Sequence, residues 1–102
     1  LIGPGGENIY PEQIEATINQ NEAVLDSLVM HQDGKLVALI NLDSEKLSPD
    51  DLKHKEAYLE KMRLHVNTKL SSFSRILKFI EEVEPFVKTP TKKIKRYLYA
   101  NR

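Results

Sequence analysis

The dipeptide Asp33-Gly34 restricts the folds that this chain can adopt more than any other feature of its sequence. It lies between two segments rich in Val, Leu and Ile, residues 24–31 and residues 35–41. Asp-Gly favours a type I′ turn, because both central residues of that turn need positive φ angles. The pattern therefore predicts two antiparallel strands joined by a tight turn.

A short helix is predicted before this hairpin, over residues 11–20. Pro11 suits its first position, where the missing N–H is not needed for the helix. Ile14 and Ile18 lie four residues apart and therefore share one face. We expect that apolar face to pack against the sheet.

A long helix is predicted after the hairpin. Ser48-Pro49-Asp50-Asp51 supplies a hydroxyl for the N-cap, a proline for the first turn and two acids at the positive end of the helix dipole. Five apolar residues then recur at helical spacing and predict one apolar stripe on a helix that ends near residue 71: Leu52, Leu59, Met62, Val66 and Leu70.

The remaining segments complete the predicted fold. Residues 76–83 are typical of a third strand, and residues 92–99 are expected to form a short closing helix. Pro85 and Pro90 bracket an extended loop between them, because residues before proline avoid helical angles. A chain of 102 residues is expected to form one domain. The predicted fold class is α+β, a small three-stranded sheet with helices packed against it, preceded by a short N-terminal β-hairpin.

Charge is divided unevenly along the chain. Residues 1–60 carry 12 acidic and 4 basic side chains, whereas residues 61–102 carry 3 acidic and 11 basic ones. A solvated terminus and an anionic partner for the second half are both compatible with this asymmetry. A nucleic-acid-binding module is one such alternative, although the aromatic–glycine motif of RNA-recognition domains is absent. From residue 85 onward the chain has six cations and no acid: Lys88, Lys92, Lys93, Lys95, Arg96 and Arg102.

Several kinds of site are excluded by composition and spacing. The chain has no cysteine, which excludes disulfides, thiolate metal sites and a cysteine nucleophile, and which fits a reducing compartment. His31, His54 and His65 lack the spacing of metal ligands, so we expect surface histidines and no metal site. No serine lies in a nucleophile elbow. No apolar run is long enough to cross a bilayer.

Two loops remain as candidate sites. The glycine-rich opening, residues 3–6, forms a turn in which backbone can approach a phosphate or a thin ligand chain. The segment Thr89-Pro90-Thr91-Lys92-Lys93-Ile94-Lys95-Arg96 presents lysines on a proline-flanked loop. A lysine there can reach into a site built elsewhere and neutralise a carboxylate and a phosphate together.

These two loops carry a resemblance to a known family. Gly6-Glu7-Asn8-Ile9-Tyr10-Pro11-Glu12-Gln13-Ile14-Glu15 resembles the Gly-x-x-Ile-x-Pro-x-x-Ile-Glu stretch that opens the C-terminal domain of AMP-forming adenylating enzymes. Acyl-CoA synthetases, peptide-synthetase adenylation domains and luciferases belong to this family. The segment from Thr89 to Arg96 is similar to the family's closing motif. The two motifs have the separation expected for that domain, so the resemblance covers essentially the whole chain.

The resemblance implies a two-step reaction and a division of labour between domains. A carboxylate and ATP give an acyl-adenylate, and coenzyme A then takes the acyl group as a thioester. A large N-terminal domain, the expected partner of this one, would hold the acyl pocket, most of the ATP site and Mg²⁺. This chain would be residues 1–102 of a mobile C-terminal lid that presents a different face to each step. Its first residue is not Met, so we expect a fragment that is inactive alone.

Site residues follow from the same resemblance. Lys93 aligns with the catalytic lysine of the closing motif and would bridge the substrate carboxylate and the α-phosphate. Gly6 aligns with the glycine that lets the pantetheine arm of coenzyme A pass, and Gly5 and Glu7 flank that passage. Asn8 falls where some relatives carry a basic residue near the nucleotide phosphate.

One departure from the family's pattern points to a branch of it. Most relatives have glycine before the catalytic lysine, where this chain has Lys92. Its Thr-Pro-Thr-x-Lys-x-Lys-Arg pattern resembles the long-chain fatty acid–CoA ligases, which implies a fatty acid substrate and a cytoplasmic enzyme. The sequence leaves open whether the enzyme also attaches to a membrane surface. An adenylation domain that loads a carrier protein is the nearest alternative.

Overall fold

A computed structural model describes residues 6–100 of the chain. The predicted N-terminal hairpin involves residues 1–5 and therefore lies outside the described residues. Three short 3₁₀ turns occur at Ser44–Lys46, Ser72–Ser74 and Arg96–Leu98. The helices and strands follow in the order α1 (Pro11–Ile18), β1 (Val24–Gln32), β2 (Lys35–Leu42), α2 (Pro49–Lys53), α3 (Lys55–Asn67) and β3 (Lys78–Glu81).

The three strands form one sheet in the order β1-β2-β3. β1 and β2 are antiparallel, and the turn between them has φ angles of 52° at Asp33 and 76° at Gly34. β3 runs parallel to β2, with Val37 opposite Lys78. The predicted hairpin and the predicted α+β class with a three-stranded sheet are therefore confirmed.

The third strand is shorter than the predicted 76–83, because asparagine side chains bind its flanking backbone. Asn67 of α3 accepts from the Ile76 amide at 2.8 Å and donates to the Ile76 carbonyl at 2.9 Å. Asn41 of β2 donates to the carbonyls of Glu82 and Val83 at 2.9 and 3.3 Å. These groups are thereby hydrogen-bonded outside the strand ladder, and the strand is limited to four residues.

One face of the sheet carries the main core, to which α1 and α3 contribute. Ile14 and Ile18 of α1 are buried there, as predicted from their spacing. α3 contributes Leu59, Met62 and Val66 to the same cluster. The sheet supplies the opposite wall of this core: Val29, Leu36, Ala38, Ile40, Leu42 and Phe79.

The prediction of one continuous helix after Ser48 is wrong. His54 has φ −131° and ψ 54°, and this non-helical residue separates α2 from α3. Its amide closes the last turn of α2 by donating to the carbonyls of Asp50 and Asp51. The break takes Leu52 out of the apolar stripe, so that it is 40% exposed, while Leu47 before α2 is buried instead. α3 also ends at residue 67 rather than near 71.

The second face of the sheet is covered by the C-terminal tail, residues 82–100. Phe86 and Tyr99 are buried against Leu28 and Leu39, and their own rings meet edge to face with centroids 5.2 Å apart. The tail is mostly extended, with a turn at residues 90–91 and a 3₁₀ turn at Arg96–Leu98. The helix predicted over 92–99 is therefore reduced to that 3₁₀ turn, in which the Leu98 and Tyr99 amides donate to the carbonyls of Lys95 and Arg96, and the prediction is wrong for residues 92–95, which belong to a loop that pairs with Lys88 and Thr89.

Candidate functional site

The predicted lysine loop is a closed turn whose two sides pair at Lys88 and Ile94. The Thr89 amide donates to the Lys93 carbonyl at 2.8 Å, and the Lys92 amide donates to the Thr89 carbonyl at 2.8 Å. The Lys93 amide also donates to the Thr89 hydroxyl at 3.2 Å. These bonds make the loop a defined structure that presents Lys92 and Lys93 at its end, and we call residues 89–93 the lysine loop.

Lys92 has a left-handed backbone, with φ 67°. Among residues 6–100 only one other residue that is not glycine, Asp33, has a positive φ. Lysine has no side-chain group that favours this conformation, whereas glycine adopts it freely. The structure thus gives a physical reason for glycine at this position in the family that the sequence resembles.

Lys93 is exposed, and its ammonium has no hydrogen-bond or ion-pair partner among the described residues 6–100. Its amide and carbonyl are both bonded to Thr89, so the backbone is fixed while the side chain is not. An ammonium on a fixed backbone is available to an anionic ligand without breaking any internal contact.

Two ion pairs hold the base of the lysine loop. The Lys88 ammonium lies 2.6 Å from the Asp26 carboxylate of β1. The Arg96 guanidinium bonds both carboxylate oxygens of Glu15 on α1, at 2.7 and 2.9 Å. Each pair joins a cation of the C-terminal tail to an acid of the first half of the chain. The unevenly distributed charges therefore attract each other within the domain. Sequence analysis did not predict that Glu15, Asp26 and Arg96 lie together. The excess of acids in residues 1–60 and of cations in residues 61–102 was the signal that could have indicated such pairs.

The lysine loop, the two acids and α1 enclose a shallow depression of about 300 Å³. Its wall carries three cations and three acids, so it is strongly polar. It is lined by Glu12, Glu15, Asp26, Lys92, Lys93, Ile94 and Arg96. The sequence motif from Thr89 to Arg96 contains four of these residues, Lys92, Lys93, Ile94 and Arg96. Of these, only Lys93 was predicted as a site residue.

The opening loop lies elsewhere. Gly6 has φ 85°, and a Cβ built on it would meet no atom within 4 Å, so its backbone angle rather than its size requires glycine. Glu7 is partly buried, and within residues 6–100 its Oε2 atom is buried without a hydrogen-bond partner. Asn8 is exposed and lines a second depression of about 400 Å³. Gly5, also predicted to flank the passage, lies outside the described residues.

The two candidate loops face different sides of α1. Glu12 and Glu15 line the depression beside the lysine loop, whereas Gln13 and Thr17 line the one beside Asn8. At about 100° per residue, these two pairs of side chains point about 150° apart around the helix axis. The structure therefore brings Lys92 and Lys93 together at one depression and places Asn8 at another, on a different side of α1.

The histidines are surface residues, as predicted: His31, His54 and His65 are all exposed. Among residues 6–100 no group of three or more His, Asp or Glu side chains could hold a metal ion. In the same part of the chain, none of the helices has both the length and the apolar character needed to cross a bilayer.

No protein-family model and no curated protein matches the chain. Solved structures do match. An ATP-bound RpMatB-BxBclM chimera is 24% identical with a TM-score of 0.73, and the match covers 99% of this chain and 19% of that one. The acyl-CoA synthetase of Brucella canis is 23% identical with a TM-score of 0.73, covering 99% and 18%. The fatty acyl CoA synthetase of Mycobacterium tuberculosis is 24% identical with a TM-score of 0.70, covering 99% and 19%.

These matches establish the fold of the chain. It is a fold found within acyl-CoA synthetases, and it extends over nearly all of the chain. The chain spans about a fifth of the length of the solved structures that it matches.

Proposed function

We propose that this chain is the C-terminal lid domain of an AMP-forming long-chain fatty acid–CoA ligase. In the first step a carboxylate oxygen attacks the α-phosphorus of ATP, and pyrophosphate leaves. In the second step the sulfur of coenzyme A attacks the acyl carbon, its thiol proton is lost, and AMP leaves. The observation that carries the proposal is the Lys93 ammonium, which has no partner among residues 6–100 and extends from a loop of fixed backbone.

Lys93 would act in the first step. Charge moves from the carboxylate to the departing pyrophosphate there, and a single ammonium between the carboxylate and the α-phosphate stabilises that redistribution. Its side chain is exposed, so it can enter an active site formed mainly by the N-terminal domain. The two ion pairs at the base of the loop support this role, because they fix the backbone from which Lys93 extends.

The opening loop would act in the second step. Gly5, Gly6, Glu7 and Asn8 would border the passage of the pantetheine arm. The left-handed angle of Gly6 and the open space beside it support this assignment. The position of Asn8 across α1 from the lysine loop supports a lid that presents one face for adenylation and another for thioester formation.

ATP, coenzyme A and the fatty acid enter this proposal as substrates that contact the lid only in part. Mg²⁺ is assigned to the N-terminal domain, as the family resemblance implies. The long-chain assignment rests on the sequence pattern from Thr89 to Arg96. Turnover of a series of fatty acids of increasing length by the full-length enzyme tests it, and a preference for short acids would contradict it.

Replacing Lys93 separates the two steps. In the full-length enzyme we expect Lys93→Ala to lower ATP–pyrophosphate exchange at least about 100-fold, because the developing charge loses its counter-ion. Thioester formation from supplied acyl-adenylate should remain within about twofold, because adenylation has already occurred. Both half-reactions are measured on the same preparation.

Lys92→Ala is the matched control, since it removes an adjacent exposed ammonium from the same loop. It should leave pyrophosphate exchange largely intact. Equal loss of both half-reactions in Lys93→Ala, or loss of exchange in Lys92→Ala alone, would contradict the role given to Lys93. A bulky residue in place of Gly6 should show the opposite profile and slow thioester formation more than exchange.

Loading of a carrier protein is the alternative within the same chemistry. The acyl acceptor is then a phosphopantetheinyl protein instead of free coenzyme A. Supplying each acceptor in turn to the full-length enzyme with preformed acyl-adenylate distinguishes the two functions.

A further inference from the structure

Glu15, which pairs with Arg96, has the most buried side chain of all the ion-paired residues in the described part of the chain. The Glu15 side chain is 9% exposed, and both of its oxygens bond the guanidinium. Such a two-pronged pair fixes the orientation of the arginine as well as its position, because the planar fork matches the planar carboxylate.

Glu15 is itself held by the sheet. Its Oε2 accepts a hydrogen bond from the Val29 amide of β1 at 2.7 Å, and Arg96 also donates to the Val29 carbonyl at 3.4 Å. Three parts of the fold, α1, β1 and the tail, therefore meet at one carboxylate. A shift of Arg96 relative to the body of the domain would break its bonds to both α1 and β1.

Arg96 lies three residues after Lys93, and the chain between them has little freedom. Ile94 packs into the cluster on the second face of the sheet, and the Lys95 amide donates to the Val87 carbonyl at 2.9 Å. The other side of the loop is tied by the pair of Lys88 with Asp26. The position of the lysine loop is thus set by ties at both of its ends.

We infer that Glu15 and Arg96 are positioning residues for adenylation, whose ion pair holds the lysine loop where Lys93 can reach the reacting groups. The inference rests on the proposed function. Neither side chain needs to touch a substrate. Their effect is to fix the backbone position from which the Lys93 side chain extends. This position matters because a displacement of about 1 Å in a reacting group can lower the rate about 100-fold.

Glu15→Gln in the full-length enzyme tests this inference. Glutamine keeps an oxygen for the Val29 amide but loses the charge that holds Arg96. We expect kcat for pyrophosphate exchange to fall about 10-fold to 100-fold, with KM for ATP and fatty acid nearly unchanged. Thioester formation from supplied acyl-adenylate should stay within about twofold, since Lys93 has no part in it under the proposed function.

Glu81→Gln is the matched control, because it makes the same chemical change in the Lys55–Glu81 pair between α3 and β3. It should leave both half-reactions unchanged. Arg96→Lys provides a second test: it keeps the charge but not the fork, so its exchange rate should lie between those of the wild type and Arg96→Met. Arg96→Lys also decides the matter if Glu15→Gln fails to fold, since the arginine side chain is 40% exposed.

Two results would overturn the inference: an equal fall of both half-reactions in Glu15→Gln and Arg96→Lys, or no fall in either. Lys93→Ala separates this failure from that of the proposed function. If Lys93→Ala abolishes exchange while Glu15→Gln and Arg96→Lys do not affect it, only the positioning role is wrong. If Lys93→Ala leaves exchange intact, the proposed function itself fails.

Discussion

Lys92 and Asp33 both have positive φ angles, yet only one of them could be predicted from its neighbours. Asp33 precedes a glycine between two apolar segments, a pattern with a known turn. Lysine carries no comparable local signal, and the angle of Lys92 is imposed by the hydrogen bonds between Thr89 and residues 92 and 93. Likewise, Lys93 was predicted from a motif, whereas only the folded loop shows that its ammonium has no partner within the described part of the chain.

Glycine at position 92 should stabilise the chain. A left-handed residue with a Cβ costs about 1–2 kcal/mol, and glycine loses part of that gain through its freer unfolded state. We expect the free energy of unfolding of Lys92→Gly to exceed that of Lys92→Ala by about 1 kcal/mol in urea denaturation. Both variants lose the same ammonium, so the difference between their free energies of unfolding reports the backbone strain at residue 92. A glycine variant less stable than the alanine variant would show that this strain is absent.

Among the elements, apolar spacing predicted which segments are helices and strands but not where they end. The ends of β3 depend on side chains remote in sequence, with Asn67 bonding Ile76 and Asn41 bonding Glu82. The helix also breaks at His54, whose backbone angles are not helical. The apolar spacing continues across this position and gave no sign of the break. Bonds of this kind arise only after the elements have packed together, so a pattern of single residues does not contain them.

Asn67→Ala should destabilise the junction of α3 with β3. It removes both side-chain bonds to the backbone of Ile76 and leaves the Ile76 amide partly buried without its partner, whereas the carbonyl keeps the bond that the Arg63 guanidinium donates at 3.0 Å. We expect the free energy of unfolding to fall by about 2 kcal/mol, measured by urea denaturation. Thr68→Ala is the control, because its hydroxyl bonds only the local carbonyl of His65. Equal effects of the two substitutions would refute the bridging role of Asn67.

For the whole molecule, the sequence predicted helices against a sheet and missed the covering of its second face. The tail contains two prolines and no periodic apolar pattern, so its contribution to a core was invisible. Phe86 and Tyr99 nevertheless bury the face formed by Leu28 and Leu39. The Tyr99 hydroxyl also accepts a hydrogen bond from the Val87 amide at 2.9 Å, which closes the tail on itself.

Tyr99→Ala should open this second face. Loss of a buried aromatic ring costs about 3–5 kcal/mol, so we expect a large fall in the free energy of unfolding and increased binding of a dye specific for exposed apolar surface. Tyr97→Ala is a matched control two residues away, because Tyr97 is 71% exposed. It should change stability by no more than about 0.5 kcal/mol. Similar losses in the two variants would mean that the tail does not contribute to the core.

The bonds at Val29 also limit how copies of this chain can associate. β1 is an outer strand, and outer strands offer unpaired amides and carbonyls on which a neighbouring molecule can add a strand. At Val29 the amide is already bound by a carboxylate and the carbonyl by a guanidinium, both from the same chain. A second copy approaching this edge finds its hydrogen-bonding sites taken, so growth of the sheet from molecule to molecule is blocked at that point.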